Sequence, residues 1–132
     1  WLVILDEEWA LPTDYLQKAR KLRDRFLCSS ESEVLLHGDL HHDNILQEDG
    51  DWVVIDPKGV IGWPINEVWA FILDLQRDIP WVARYFNFKV QDVFDWYFIH
   101  VMLAACWNLE DKLDPIYFLE KAEGAYRHVS DI

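Results

Sequence analysis

Basic residues are scarce in this chain. Twelve Lys and Arg stand against twenty-four Asp and Glu, a net charge of −12 at pH 7. Phosphate backbones would be repelled, so nucleic acid is excluded as a partner; a small cation would instead be concentrated near the surface. Cysteine is nearly absent. Cys28 and Cys106 form no CxxC pair and no zinc spacing, which rules out a disulfide framework and reads as two reduced thiols in a cytoplasmic protein. The five glycines are scattered and make no G-x-G-x-x-G loop over phosphates. Long apolar runs are missing too. The longest, Tyr97 to Trp107, is interrupted by His100 and reads as a buried helix, not a membrane span. No signal peptide is recognisable. The first residue is Trp1, not Met, and the expectation is a piece of a longer protein.

What is present argues for a packed globule. Hydrophobic residues make up 52% of the chain, with eight tryptophans, against the composition of a disordered segment. At 132 residues one domain is expected. The stretch Trp1 to Leu5 is an apolar scrap of an interrupted element. Thr13 is expected as an N-cap, with Asp14 in the first turn. Leu16, Ala19, Leu22, Phe26 and Leu27 then share one helical face, and residues 29–33 read as a polar linker. After residue 56 a loop marked by Pro57-Lys58-Gly59 and Gly62-Trp63-Pro64 is expected. Next comes a helix from about Asn66 to Asp78 that Pro80 ends, and then a short helical turn over 81–86. Gln91 to Leu109 is apolar nearly all round and belongs at the centre of the helical core. Asp114 as N-cap and Pro115 at the first helical position open a last helix through about His128.

The chemistry gathers at His37-Gly38-Asp39-Leu40-His41-His42-Asp43-Asn44, followed by Trp52-Val53-Val54-Ile55-Asp56. The first stretch fits H-x-D-x-x-x-x-N, the catalytic-loop pattern of phosphoryl-transfer enzymes built like protein kinases. There the Asp accepts the proton of an attacking hydroxyl and the Asn holds magnesium. Asp49-Gly50 between two strand-like runs is a strong hairpin signal. Closing that hairpin returns Asp56 towards Asn44, where two oxygen ligands could share one ion.

HGDLHHDNIL followed by VVIDPKGVIG resembles the aminoglycoside phosphotransferase family, in particular its streptomycin kinase and hydroxyurea kinase branch. The resemblance implies an α+β, mostly helical, protein-kinase-like C-terminal lobe, with a small β-hairpin after the catalytic loop and without the N-terminal ATP clamp. It implies ATP as co-substrate, magnesium as cofactor, Asp39 as general base, and Asn44 and Asp56 as metal ligands. His37 would orient the loop, and Glu67 would anchor the following element onto it. His41 and Lys58 are placed to approach phosphate oxygens. Trp107, Glu110, Asp111 and Asp114 lie where the family's helical lobe faces its acceptor, and an aromatic plane with carboxylates suits a cationic aminoglycoside. Only ten residues separate Asp56 from Glu67, too few for a peptide-docking platform, so the acceptor is a small molecule. Gly62-Trp63-Pro64 departs from the branch, which usually reads G-D-P.

Each assignment has a plainer competitor. Asp39 could only cap a turn, Lys58 and His41 could be solvated, Trp107 could be core, and the acids near 110–114 could be a wetted helix end. The His/Asp cluster also admits a metal-dependent hydrolase, although His100 and His128 are the only histidines left downstream. A third reading is a catalytically dead, kinase-like binding module. Loss of a partner lobe would expose apolar surface near Trp52 and Val53 and favour self-association.

Overall fold

The computed structural model describes residues 2–29 and 31–132; Trp1 and Ser30, which belong to the expected apolar scrap and polar linker, lie outside them. The chain divides into two compact units, Trp1–Ser29 with Lys89–Ile132, and Ser30–Phe88. The architecture is α+β, with helices predominating and two small antiparallel sheets.

The first unit is helical. A 3-10 turn over Leu2–Asp6 leads to α1 (Thr13–Leu27), and the unit resumes with α3 (Val90–Glu110) and α4 (Ile116–Tyr126). α3 is its axis, packing on α1, α4 and the N-terminal turn. Twelve of its side chains are buried, as a helix apolar on all sides requires. Phe26 meets Trp96 edge-on at 5.0 Å between centroids, and Tyr15 lies 4.6 Å from Tyr126. Burial pushes the Cys106 thiol up to about 12, so it stays protonated.

Sequence gave no warning of the Asp95 carboxylate, which sits fully buried in this apolar helix. Arg25 Nη2 donates to it at 2.7 Å, Gln91 Nε2 at 3.0 Å, and Ser130 through its backbone N–H at 2.8 Å and its hydroxyl at 2.6 Å. A buried charge is tolerated when it is paired and hydrogen-bonded to this extent. The network ties α1, α3 and the C-terminal segment together.

Several boundaries differ from those read off the sequence. Thr13 is the first residue of α1, not its cap; Pro12 holds the cap position, without a side-chain bond. Leu27 is 54% exposed, because the helix ends there and its last turn has left the buried stripe. α4 begins one residue later than expected and stops at Tyr126. Asp114 Oδ1 still accepts from the Ile116 N–H at 2.9 Å, a capping bond.

The second unit carries both sheets. β1 (Val34–Leu36) pairs with β4 (Val60–Gly62), and β2 (Ile45–Glu48) with β3 (Asp51–Val54). The β2–β3 turn has Asp49 at φ 50° and Gly50 at φ 84°, the backbone that an Asp-Gly hairpin demands. β4 falls inside the stretch expected to be loop; Val60 and Ile61 are strand formers that find a partner in β1. The helix expected over 66–78 does not form. Short 3-10 turns occupy Pro64–Glu67 and Trp69–Phe71, and α2 runs Leu75–Phe86 straight through Pro80. Asp74 supplies the start signal by accepting from Arg77 N–H at 2.8 Å. Pro80 sits in the interior of α2, where its missing N–H is outweighed by full burial of Ile79 and Val82. Among the described residues no helix is long and apolar enough to cross a membrane.

Candidate active site

The site is built on His37, directly after β1. Its Nδ1 accepts from the Asp39 backbone N–H at 3.1 Å, and Nε2 faces the Ile55 carbonyl at 2.7 Å. A backbone N–H donor on one side and a carbonyl acceptor on the other fix the tautomer with the proton on Nε2. The His37 carbonyl accepts from the N–H groups of Lys58 at 2.7 Å and Gly59 at 3.3 Å. One residue thereby stitches the 37–44 loop to the segment after β3. Glu67 closes the base: its two carboxylate oxygens accept from the backbone N–H of His37 at 3.1 Å and of Gly38 at 2.9 Å. Carboxylate-to-amide bonds of this kind are stronger than neutral ones.

Gly38 is the position where the turn requires glycine. Its φ is +88°, and a Cβ there would stand 2.9 Å from Val60 Cγ2 and 3.2 Å from Lys58 Cβ. Only the bare backbone lets the loop lie against the start of β4.

Asp39 and Asn44 face each other across the loop. Asn44 is buried, and its Nδ2 donates to the Asp39 carbonyl at 2.8 Å and leans on Asp39 Oδ2 at 3.4 Å. That leaves Asn44 Oδ1 without a hydrogen bond among the described residues. The Asp39 carboxylate is about a third exposed and open to an incoming group. His41 anchors Nδ1 on the Asp43 N–H at 3.3 Å, which puts Nε2 3.5 Å from Asp39 Oδ1 and 3.3 Å from Asn44 Nδ2.

Hairpin closure sets the remaining carboxylate. Ile55 N–H donates to the Asn44 carbonyl at 2.9 Å, so Asp56 stands one residue beyond a bonded pair that contains Asn44. Asp56 has φ 53° directly before a proline, an uncommon backbone state of the sort that collects at functional sites. Its side chain is exposed and has no hydrogen bond or ion pair among the described residues. Hard oxygen donors, the Asn44 amide oxygen and one unpaired carboxylate, fit magnesium. Among the described residues no three His, Cys, Asp or Glu side chains gather as a metal-holding group, which removes support from the hydrolase alternative.

The structure therefore brings His37, Asp39, His41, Asn44 and Glu67 into one hydrogen-bonded group, with Asp56 at its edge. The Lys58 side chain is exposed and enters only through its backbone. Trp63, where the G-D-P aspartate was expected, is buried and hands its carbonyl to Asn66 N–H at 3.0 Å; it fills core and offers no charge. Trp107, Glu110, Asp111 and Asp114 belong to the other unit, at the end of α3 and in the turn before α4. There Trp107 is part-buried beside His100 and the three acids are exposed. Sequence reasoning missed the steric demand at Gly38, for which the signal was only its place between His37 and Asp39.

Residues 6–69 match the aminoglycoside/hydroxyurea antibiotic resistance kinase family. The match to that kinase family takes in α1, the 37–44 loop, both sheets and Glu67, and stops short of Trp107 and the acids near it. A methylthioribose kinase from Geobacillus thermodenitrificans (strain NG80-2) is 41% identical over 73 residues, 54% of this chain but only 18% of that enzyme. No solved structure matches the chain.

Proposed function

We propose that this chain is the acceptor-side, catalytic-loop lobe of a protein-kinase-like phosphotransferase, moving the γ-phosphoryl group of ATP to a hydroxyl of a small molecule. The carrying observation is the joint placement of Asp39, Asn44 and Asp56. One carboxylate is open to solvent on a loop locked by His37 and Glu67, and two oxygen donors lie on either side of the hairpin closure. The matched family and the matched relative are both kinases by description, which supports the reaction class.

Asp39 takes the proton from the acceptor hydroxyl, which must arrive within hydrogen-bond reach of the carboxylate. Asn44, holding its amide nitrogen on Asp39, keeps that carboxylate and its own oxygen in fixed relation. Asn44 Oδ1 and Asp56 would hold magnesium, which neutralises phosphate charge when bound. His37 and Glu67 act on backbone only; they maintain the loop and touch no reactant. His41, next to Asp39 Oδ1, would meet an incoming phosphoryl oxygen, and the exposed Lys58 side chain would reach the same charge.

The acceptor we favour is an aminoglycoside such as streptomycin. The aminoglycoside in the family description and the charge of −12 support a cationic acceptor, and the resemblance assigns its recognition to Trp107, Glu110, Asp111 and Asp114. A thiosugar acceptor is the second reading, carried by the methylthioribose kinase relative. Competing phosphotransfer assays on the full-length protein, with streptomycin and methylthioribose, separate the two. In that protein Asp39→Asn should keep ATP binding while turnover falls by about 10²-fold or more, and Asp56→Ala should lose magnesium-dependent nucleotide binding. The 132-residue chain alone should be silent, for lack of a loop and lysine over the phosphates. Wild-type turnover in Asp39→Asn would end the proposal.

A further inference from the structure

His41 opens the short 3-10 turn over His42–Asn44, and its ring is pinned there as the cap: Nδ1 accepts from the Asp43 backbone N–H at 3.3 Å. A nitrogen that accepts carries no proton, so the neutral imidazole keeps its single hydrogen on Nε2. Two atoms face that hydrogen. Asn44 Nδ2 lies 3.3 Å away but only donates. Both of its hydrogens are turned to Asp39, 2.8 Å from the carbonyl and 3.4 Å from Oδ2. Asp39 Oδ1, at 3.5 Å, is the acceptor that remains among the described residues.

We infer that His41 is a positioning residue for the base, holding Asp39 Oδ1 through its Nε2–H while Asn44 holds Oδ2. The inference rests on the phosphotransferase reading above. Whatever phosphate oxygen the ring also meets, its effect on turnover passes through Asp39.

The need for such a group follows from the way Asp39 is held. Its N–H donates to His37 Nδ1 at 3.1 Å, and its carbonyl accepts from His41 N–H at 3.1 Å and from Asn44 Nδ2 at 2.8 Å. These bonds fix the backbone. They leave the last side-chain torsion unset, and for Asp that torsion is broad and roughly two-fold. A donor on one oxygen alone lets the carboxylate turn; a donor on each sets its plane. At 3.4 and 3.5 Å both contacts exceed the ~2.7–3.2 Å of a made hydrogen bond. Catalytic contacts are often this long in a site without substrate and tighten when it arrives. The two donors and Asp39 lie within six residues of one loop, so no other part of the protein is needed to bring them together.

The test is steady-state kinetics on the full-length protein, with whichever of streptomycin and methylthioribose it phosphorylates. Asn puts its amide where Nδ1 stands, and Gln where Nε2 stands. His41→Asn therefore keeps the cap on Asp43 and loses the hold on Asp39: kcat should fall about 10- to 100-fold, with both KM values within about two-fold of the parent. His41→Gln returns an amide N–H to the Nε2 position and should recover most of kcat. A ring that serves only the turn gives the reverse order, Asn active and Gln impaired, and overturns the inference. Added to Asp39→Asn, His41→Asn should cost nothing further, because losses through a shared group do not add. An equal additional loss, or a raised KM for ATP, would assign His41 to the phosphate instead. A slow Asp39→Asn beside wild-type kcat in His41→Asn sinks this inference alone, whereas wild-type turnover in Asp39→Asn removes the reading beneath it. One measurement needs no acceptor. Imidazole nitrogen NMR shifts in mildly alkaline solution, assigned by the signals lost in His41→Asn, should show the proton on Nε2 and none on Nδ1; the opposite tautomer refutes the inference.

Discussion

Removing the Asp95 carboxylate tests whether a single buried charge organises the helical unit. Asp95 is 0% exposed and receives four donors, of which only Arg25 is charged. In Asp95→Ala, Arg25 can turn to water or to Asp92, 3.4 Å away, since its side chain is 36% exposed. Gln91 is exposed and also recovers. The part-buried Ser130 N–H loses its acceptor, and such a group left unmade costs up to about 1–3 kcal/mol. Adding the lost charge-assisted bonds and the void, the expected destabilisation is about 3–4 kcal/mol, a large share of the ~5–15 kcal/mol that holds a domain together. Arg25→Ala should cost about 3 kcal/mol by the opposite route, leaving the carboxylate buried with neutral donors only. The two losses overlap, so the double variant should fall short of the sum by at least ~1.5 kcal/mol. Urea unfolding followed by helical circular dichroism reads this as midpoint shifts of roughly 1–3 M for each single variant. Single losses below about 1 kcal/mol that add within ~0.5 kcal/mol would refute the claim that the network bears on stability.

Two further outcomes follow from the geometry. Gly38→Ala should destabilise by about 2–4 kcal/mol, combining positive φ with the approach of Val60; Gly50→Ala, at φ +84° in open space, should lose only about 1 kcal/mol. Equal losses in the two would show that the Val60 contact costs nothing, whereas partial rescue of Gly38→Ala by Val60→Ala would confirm it. Burial also pushes the His100 imidazole down to about 4 from an ordinary value near 6.5. The unfolded chain binds that proton first, so stability should fall as pH drops from about 6.5 through about 4, at most by ~1.4 kcal/mol per pH unit from this group. His100→Phe should flatten that part of the profile, and an unchanged slope in urea titrations would remove His100 as its cause.

The local features of this protein are written in short stretches of its sequence. Asp49-Gly50 sets the hairpin turn because few other residues accept two successive positive φ angles. The unbroken apolar run of α3 could only be central, since no face of it tolerates water. His37, Asp39 and Asn44 lie within eight residues, so a single loop conformation brings them together, and the hairpin returns Asp56 through a register the turn imposes. Tertiary structure decided whatever depends on partners distant in sequence. Glu67 meets the N–H groups of His37 and Gly38 across about thirty residues. β4 becomes a strand only because β1 lies beside it, and Pro80 stays helical because Ile79 and Val82 are buried. Asp95, in a sequence that reads as apolar core, is made tenable by Arg25 and Ser130, seventy residues before it and thirty-five after. A pattern of side chains along the chain reports what each backbone segment prefers. Which buried polar group is satisfied, and by what, is fixed only when the segments meet, because the hydrogen bonds that hold it are made between them.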